Sequence, residues 1–383
     1  IEILDKDQND ILYLYNNGYI LKRQAYQLSF FDLDMNYLAQ CSVRKKIPRS
    51  FEDRQGGIWF SDKRATLSRY QFADTALFER YTCQPFDSTC HPASRGIAQT
   101  ASGDVFITQF RNLLRKNAHG IRLFHATDIL KSIPEELNGV FAQTDSVILW
   151  ISAIDRLLKL NASDPSKDPI AYSYSEKKHR GVTQPYIDKQ GTIWVGNAEG
   201  LFQLSTQDSI LLPYQKYIAY EYLKKGHVFA FHENPAGIWL STSFGIFLLD
   251  YEKGIIEHYH TKGTDKNYLP HNYFYHLHED ADGTFWLASK SGGLIHWNLK
   301  TGDYEQFTKD EGLSDNVIYG VYEDDYGQLW LSSNYGLMSF DKKTKEVIWY
   351  LEEDGIPNVE FNTLSHYQAE DGHLYFGGLT GTM

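Results

Sequence analysis

No apolar stretch in this chain runs beyond a few residues, so no segment could cross a bilayer as a helix, which takes about 20. A basic-then-apolar leader is missing too. Ile1 to Asp10 already reads as folded sequence, and any signal peptide or membrane anchor is expected outside these 383 residues. Basic residues are in deficit: 37 Lys and Arg against 49 Asp and Glu give a net charge of −12, which argues against nucleic acid as the main partner. Lys177, Lys178, His179 and Arg180 form the best local basic run, and a solvated loop is the simpler account of it. Cysteine is scarce, with three in the chain. Cys83 and Cys90 flank a Gln-Pro-Phe-Asp turn; they are expected to pair in an oxidising compartment and to stand as free thiols otherwise, with Cys41 unpaired. Three thiols are too few for a structural zinc site. Catalytic signatures are also missing: there is no Gly-x-Ser-x-Gly elbow, no P-loop and no His-Glu-x-x-His helix.

What the chain does contain is aromatic residues, 15% of the total, and 29 glycines, arranged in one recurring phrase. Acidic or polar residues lead to a Gly, an aliphatic, an aromatic, an aliphatic and a small polar residue, often with a second Gly soon after. Asp188-Lys189-Gln190-Gly191-Thr192-Ile193-Trp194-Val195-Gly196 is a clear copy. The anchors run Tyr13, Trp59, Phe106, Trp150, Trp194, Trp239, Trp286, Trp330 and Tyr375, at intervals of 46, 47, 44, 44, 45, 47, 44 and 45. Within one unit, Asn316 to Tyr322, Gln328 to Ser332, Leu337 to Asp341 and Glu346 to Tyr350 alternate like strands, and Gly, Asp and Asn turns separate them. Four short antiparallel strands per unit of about 45 residues is the sequence pattern of a β-propeller blade. The expected fold is therefore all-β, a propeller of four-stranded antiparallel blades, seven to nine in number. The motif residues serve that architecture: the aromatic fills the space between blades, the glycines permit the hairpins, and the acids accept from turn amides.

The wording of the repeat resembles the two-component regulator propeller family. Gly312-Leu313-Ser314-Asp315-Asn316-Val317, followed by Glu323-Asp324 and Trp330, carries the introducing phrase of that family. Asp354-Gly355-Ile356, Glu360-Phe361-Asn362 and Tyr375-Phe376-Gly377-Gly378-Leu379-Thr380-Gly381 resemble its closing blade. The resemblance is strong over residues 180–383, fair at 50–62 and poor at 84–160. It implies seven-bladed rings, often in tandem, in the periplasmic sensor region of hybrid two-component or sensor histidine kinase proteins. Nine anchors do not fit one such ring. Either residues 1–383 form a single ring of eight or nine blades, or a boundary falls near 70–90. In the second case residues 1–80 close a preceding propeller, and 81–383 form a seven-bladed ring whose missing strand comes from the segment before Phe106.

Candidate chemistry is sparse. Asp280-Ala281-Asp282-Gly283 imitates the start of a calcium loop, but no bidentate Glu follows at the required distance, and the segment falls on a blade turn. His276 and His278 share a strand face, as do His258 and His260; surface or interblade histidines are commoner than metal ligands, and no metal site is assigned. A ligand is expected where the blades converge. The polar residues introducing the innermost strands are Arg95, Arg180, Asn272, Asn316 and Asn362. The second-to-third-strand turns add Asn197, Glu199, Phe244, Lys290, Asn334 and Tyr335. Amides, guanidinium groups and aromatic faces suit a small polar ligand such as an oligosaccharide. No cofactor or catalytic residue is expected, nor any membrane contact except through segments outside the sequence. A homodimer is the other expected partner. The resemblance implies an extracytoplasmic ligand-sensing domain. The alternatives are a propeller enzyme of the lyase or cyclotransferase type and a protein–protein scaffold.

Overall fold

The computed structural model describes residues 78–82, 91–125, 136–143, 147–153, 155–167, 169–175, 184–214, 226–263 and 267–383, together with Ile129 and Leu223. Between residues 2 and 71 it describes eight strands, chiefly as backbone. Cys83, Cys90 and Arg180 lie outside the described residues, as does the side chain of Cys41, so the cysteine pairing is not addressed by it.

Two compact units divide the chain, residues 1–79 with 353–355, and residues 80–352 with 356–383. In the first, β1 (Glu2–Lys6), β2 (Ile11–Leu14), β3 (Ile20–Gln24), β4 (Gln27–Phe31) and β5 (Tyr37–Ser42) make an antiparallel meander. A separate three-stranded sheet follows, formed by β6 (Arg49–Glu52), β7 (Gly57–Ser61) and β8 (Leu67–Gln71). Tyr13 and Trp59 each lie in the second strand of their sheet.

In the second unit, seven blades follow one another among the described residues, in six sheets. Their innermost strands are β9 (Ser94–Gln99), β13 (Leu137–Ala142), β17 (Gln184–Ile187), β21 (Val228–Asn234), β25 (Phe274–Glu279), β29 (Ile318–Glu323) and β33 (Phe361–Gln368). Each leads by an antiparallel hairpin to a second strand carrying the anchor: β10 (Val105–Gln109), β14 (Ile148–Ala153), β18 (Ile193–Asn197), β22 (Gly237–Thr242), β26 (Phe285–Ser289), β30 (Gln328–Ser333) and β34 (Leu374–Gly378). Two further antiparallel strands complete most sheets, as with β31 (Leu337–Asp341) and β32 (Val347–Tyr350). Successive innermost strands lie side by side, and β33 returns to lie against β9. The last sheet has only the two-residue strand β35 (Gly381–Thr382) beyond β34, and Tyr81 pairs with Thr382 at its outer edge. One irregularity joins neighbours: the outer strands β16 (Ile170–Tyr174) and β20 (Ile210–Pro213) pair in parallel, making one eight-stranded sheet of two blades.

Register explains the repeated phrase. Tyr186, His232 and His278 stand opposite Trp194, Trp239 and Trp286 across the first hairpin. Each donates to a carboxylate of the next sheet: Tyr186 to Glu233 (2.9 Å), His232 to Glu279 (2.8 Å) and His278 to Glu323 (3.3 Å). The second acid serves its own sheet. Asp188, Asp280 and Asp324 accept the indole N–H of Trp194, Trp286 and Trp330 at 2.8, 3.1 and 2.8 Å. The other oxygen of Asp188 and of Asp324 takes turn amides, Gln190 and Thr192 in the first case and Tyr326 and Gln328 in the second. In the β21–β22 hairpin that second acid is replaced by Asn234, and the buried Trp239 Nε1 has no partner among the described residues.

The glycine that opens the third strand also ties sheets together. Gly245 donates its amide to the Asn272 carbonyl (2.5 Å), Gly293 to Asn316 (2.9 Å) and Gly336 to Val359 (2.6 Å). At Gly245 φ is 112°, and a Cβ there would sit 2.1 Å from the Tyr259 carbonyl, so only glycine fits.

Phe106, Trp150, Trp194, Trp239, Trp286 and Tyr375 are buried as the repeat requires. Trp330 differs: it is half-buried, its ring stacked on Tyr350 at 5.3 Å. The sheet after it is the one with the two-residue third strand, which covers less of its neighbour. Replacing Trp286 by Ala is expected to lower stability by about 3–5 kcal/mol, because it removes a large buried side chain and leaves a cavity. Trp330→Ala should cost distinctly less. Urea denaturation of the two variants measures the difference, and equal losses would contradict this account of their packing.

Candidate functional site

Strand direction sorts the loops onto two faces. Second-to-third-strand turns and the crossings to the next innermost strand share one, here the crossover face. First-to-second-strand hairpins with their acids share the other, the hairpin face.

The expected ligand residues that are described lie on the crossover face, and the chain itself uses several of them. Asn272 accepts from the Thr261 amide (2.8 Å) and donates to the Thr261 hydroxyl (2.9 Å). Asn316 accepts from the Lys309 amide (2.8 Å), and Asn362 donates to the Ser94 carbonyl (2.9 Å), joining the last sheet to the first. Asn197 is buried, its Oδ1 taking the Glu199 amide (2.7 Å) and its Nδ2 lacking a partner among the described residues. Phe244 gives its carbonyl to His258 Nε2 at 2.7 Å. The Arg95 guanidinium lies 4.4 Å over the Phe110 ring, and burial lowers its pKa while Glu136 opposes the shift.

Lys290 and Asn334 meet a common feature. His227, Phe229, Tyr273, Tyr275 and Tyr319 form a column of rings with neighbouring centroids 4.2 to 5.3 Å apart. The Lys290 ammonium sits 4.5 Å over Tyr273, and the Tyr319 hydroxyl donates to Asn334 Oδ1 at 2.6 Å. Burial raises the pKa of Tyr273 and Tyr275, and pushes Tyr319 up to about 12. Tyr335 is exposed beside Asn334.

A second concavity, unforeseen from the sequence, lies toward the hairpin face: a cavity of about 580 Å³ between the innermost strands. His276, His366 and Tyr322 line its inner part. The Tyr322 hydroxyl is bonded to His366 Nδ1 at 2.9 Å, the two imidazoles meet edge to face at 4.6 Å, and the Val321 amide donates to His276 Nδ1 at 3.3 Å. Gly320 makes room for this arrangement, since a Cβ there would approach the His366 ring to 2.7 Å. The metal-candidate histidines are thus held by other groups: His278 by Glu323, His258 by the Phe244 carbonyl and the Phe247 ring at 3.9 Å, and His260 against His258 at 4.1 Å. The cavity is lined by runs of innermost-strand residues, such as Gln184 to Tyr186 and Phe229 to Phe231, which are no part of the repeated phrase, and by hairpin residues such as Glu370 and Asp371.

The architecture defines a β-propeller. Residues 268–291 and 312–335 match the family model described as the two component regulator propeller, and Asn272, Lys290, Asn316, Asn334 and Tyr335 fall inside those segments. No curated protein matches the chain. Similar solved structures include PorZ, a surface component of the type-IX secretion system of Porphyromonas gingivalis, at 10% identity over 98% of this chain and 61% of that one, with a TM-score of 0.54. The WD40 β-propeller domain of Doa1 is 12% identical over 76% of this chain and 92% of its own, with a TM-score of 0.55. An extracellular domain assigned to the hybrid two component system BT3049 of B. thetaiotaomicron is 17% identical over 99% of this chain and 62% of its own, at a TM-score of 0.41. At these identities the similarity shows the fold alone. The chain spans less than two thirds of the PorZ and BT3049 chains. Among the described residues no helix is long and apolar enough to cross a membrane.

Acid should act on this channel. Burial lowers the His366 pKa to about 4, and it lowers His276 well below 6.5, with His366, His278 and His232 adding to the shift. A base whose folded pKa is depressed leaves stability intact above its unfolded pKa. As pH falls below 6.5 the unfolded chain takes up protons that the folded chain refuses, so stability drops at up to about 1.4 kcal/mol per pH unit per group, down to about pH 4 for His366. Urea midpoints measured from pH 8 to 4 should show a smaller decline in His366→Gln than in the parent. Parallel curves would show that His366 does not titrate in this way.

Proposed function

We propose that this chain belongs to the extracytoplasmic sensing region of a bacterial membrane-bound two-component signalling protein and is itself non-catalytic. The observation that carries this is the family match over residues 268–291 and 312–335, in the part of the chain where the repeat is most regular. On this reading residues 81–383 are a seven-bladed sensor ring and residues 1–80 close a preceding propeller. The complete protein would add a membrane helix and a kinase or transcription-factor domain. Binding would bias one of two arrangements passed across the membrane.

The ligand, a small polar molecule such as an oligosaccharide, would be read on the crossover face. Lys290 over Tyr273, Asn334 beside Tyr319, exposed Tyr335, Arg95 over Phe110, and Arg180 are the groups proposed to contact it. Asn197, Asn272, Asn316 and Asn362, with Glu199 and Phe244, would position the loops that carry them. A face of this kind also suits pairing with a second copy.

Calorimetry against a panel of oligosaccharides tests the proposal. Arg180→Ala and Lys290→Ala should each weaken binding of a recognised glycan by about 0.5–1.5 kcal/mol, or more where the contact is charged. Unchanged affinity in both would remove the crossover face as the binding surface. Product formed from any glycan or peptide would overturn the non-catalytic assignment.

A further inference from the structure

The hairpin-face cavity has a chemical character unlike that of the crossover face. Its volume, about 580 Å³, lies in the range of small-molecule sites. Phe141, Tyr186 and Phe231, from three consecutive innermost strands, form a continuous aromatic wall: Phe141 meets Tyr186 edge-on at 6.0 Å, and Tyr186 stacks on Phe231 at 5.1 Å and 5°. Glu370 and Asp371 stand on its lining, and both are exposed. No lysine or arginine is among the described lining residues. Asp371 accepts from Gln99 (3.2 Å) and from His373 (2.9 Å), while Glu370 has no ion pair among the described residues.

Two polar atoms of the lining residues are buried with no partner among the described residues, Gln184 Oε1 and His366 Nε2. An amide oxygen can only accept, so the first calls for an N–H or O–H donor. Buried polar groups are almost always satisfied, by protein, water or a ligand.

We infer that this cavity is a second binding site, independent of the crossover-face proposal, and that it takes an organic ammonium ion with a flat aromatic body. An anion would enter a space with two carboxylates and no cation to compensate it. An ammonium head is attracted by those carboxylates and by the ring faces, and an N–H on the aromatic body can serve Gln184, which opens β17 at the end of the strand away from the hairpins. The chain's net charge of −12 favours approach of a cation from a distance.

Tryptamine, tryptophol and indole-3-propionate carry a cationic, a neutral and an anionic group on the same indolylethyl frame. Titrated into the 383-residue chain at pH 7.5 and low salt, tryptamine should bind at least tenfold more tightly than tryptophol, and indole-3-propionate should not bind measurably. Glu370→Gln/Asp371→Asn should remove most of the tryptamine advantage while leaving tryptophol unchanged, a readout that a folding defect would not imitate. Phe231→Ala, with its circular dichroism checked, should weaken both. Binding of the three compounds alike, preference for the anion, or no tryptamine binding up to millimolar concentration would each overturn the inference.

Discussion

The carboxylate that ends an innermost strand, and the donor it meets in the sheet before, fix how one blade sits on the next. Apolar faces alone would let neighbouring sheets slide, because hydrophobic contact has no direction. Glu233, Glu279 and Glu323 supply direction, each taking a hydrogen bond from the residue opposite the anchor aromatic of the preceding sheet. Lys342 extends the link at one junction, reaching Asp280 at 2.8 Å and Glu323 at 2.6 Å. Each such bond contributes on the order of 1 kcal/mol, more where charged, but its position relative to the anchor repeats at these three junctions and so sets the rotation of the sheets they join. The second acid then holds the hairpin and the indole together.

From that placement the channel acquires two unlike ends. Toward the crossover face it is occupied by rings, from His227 to Tyr319, with Lys290 and Asn334 resting on them. Toward the hairpin face it opens into the cavity around His276, His366 and Tyr322. Neutral imidazoles and a protonated phenol can be buried there because burial itself disfavours their charged forms. The same short segments that give the propeller its regularity thus present different chemistry at each mouth.

The propeller was legible because its determinants are periodic: the anchors recur every 44 to 47 residues, and where the acids and glycines accompany them they do the same work. Even the exception at Trp330 obeys the rule, its indole bound to Asp324 while a short neighbour leaves it half-covered. The sites were less legible. An asparagine introducing an innermost strand reads the same whether its amide awaits a ligand or, like Asn272 and Asn316, already holds a backbone group. The cavity was invisible for the opposite reason. Gln184, His276 and His366 come from strands far apart in sequence and belong to no part of the repeated phrase, so the phrase does not join them.

The closing sheet has a further consequence, for the order in which the molecule can assemble. Its outer edge is Tyr81, paired with Thr382 through reciprocal amide–carbonyl bonds of 2.7 and 2.9 Å, and Arg80 donates to the Thr380 carbonyl 300 residues away. Six blades are built from local hairpins and can form as the chain leaves the ribosome. The seventh needs residues from both extremes of the ring, so its closure waits for the last strand and meets the full entropy of a very long loop. Until then β9 and β33 expose apolar faces to solvent and to other chains. Ring closure is therefore the late, non-local step of folding, and the interval before it is when the chain is most exposed to aggregation.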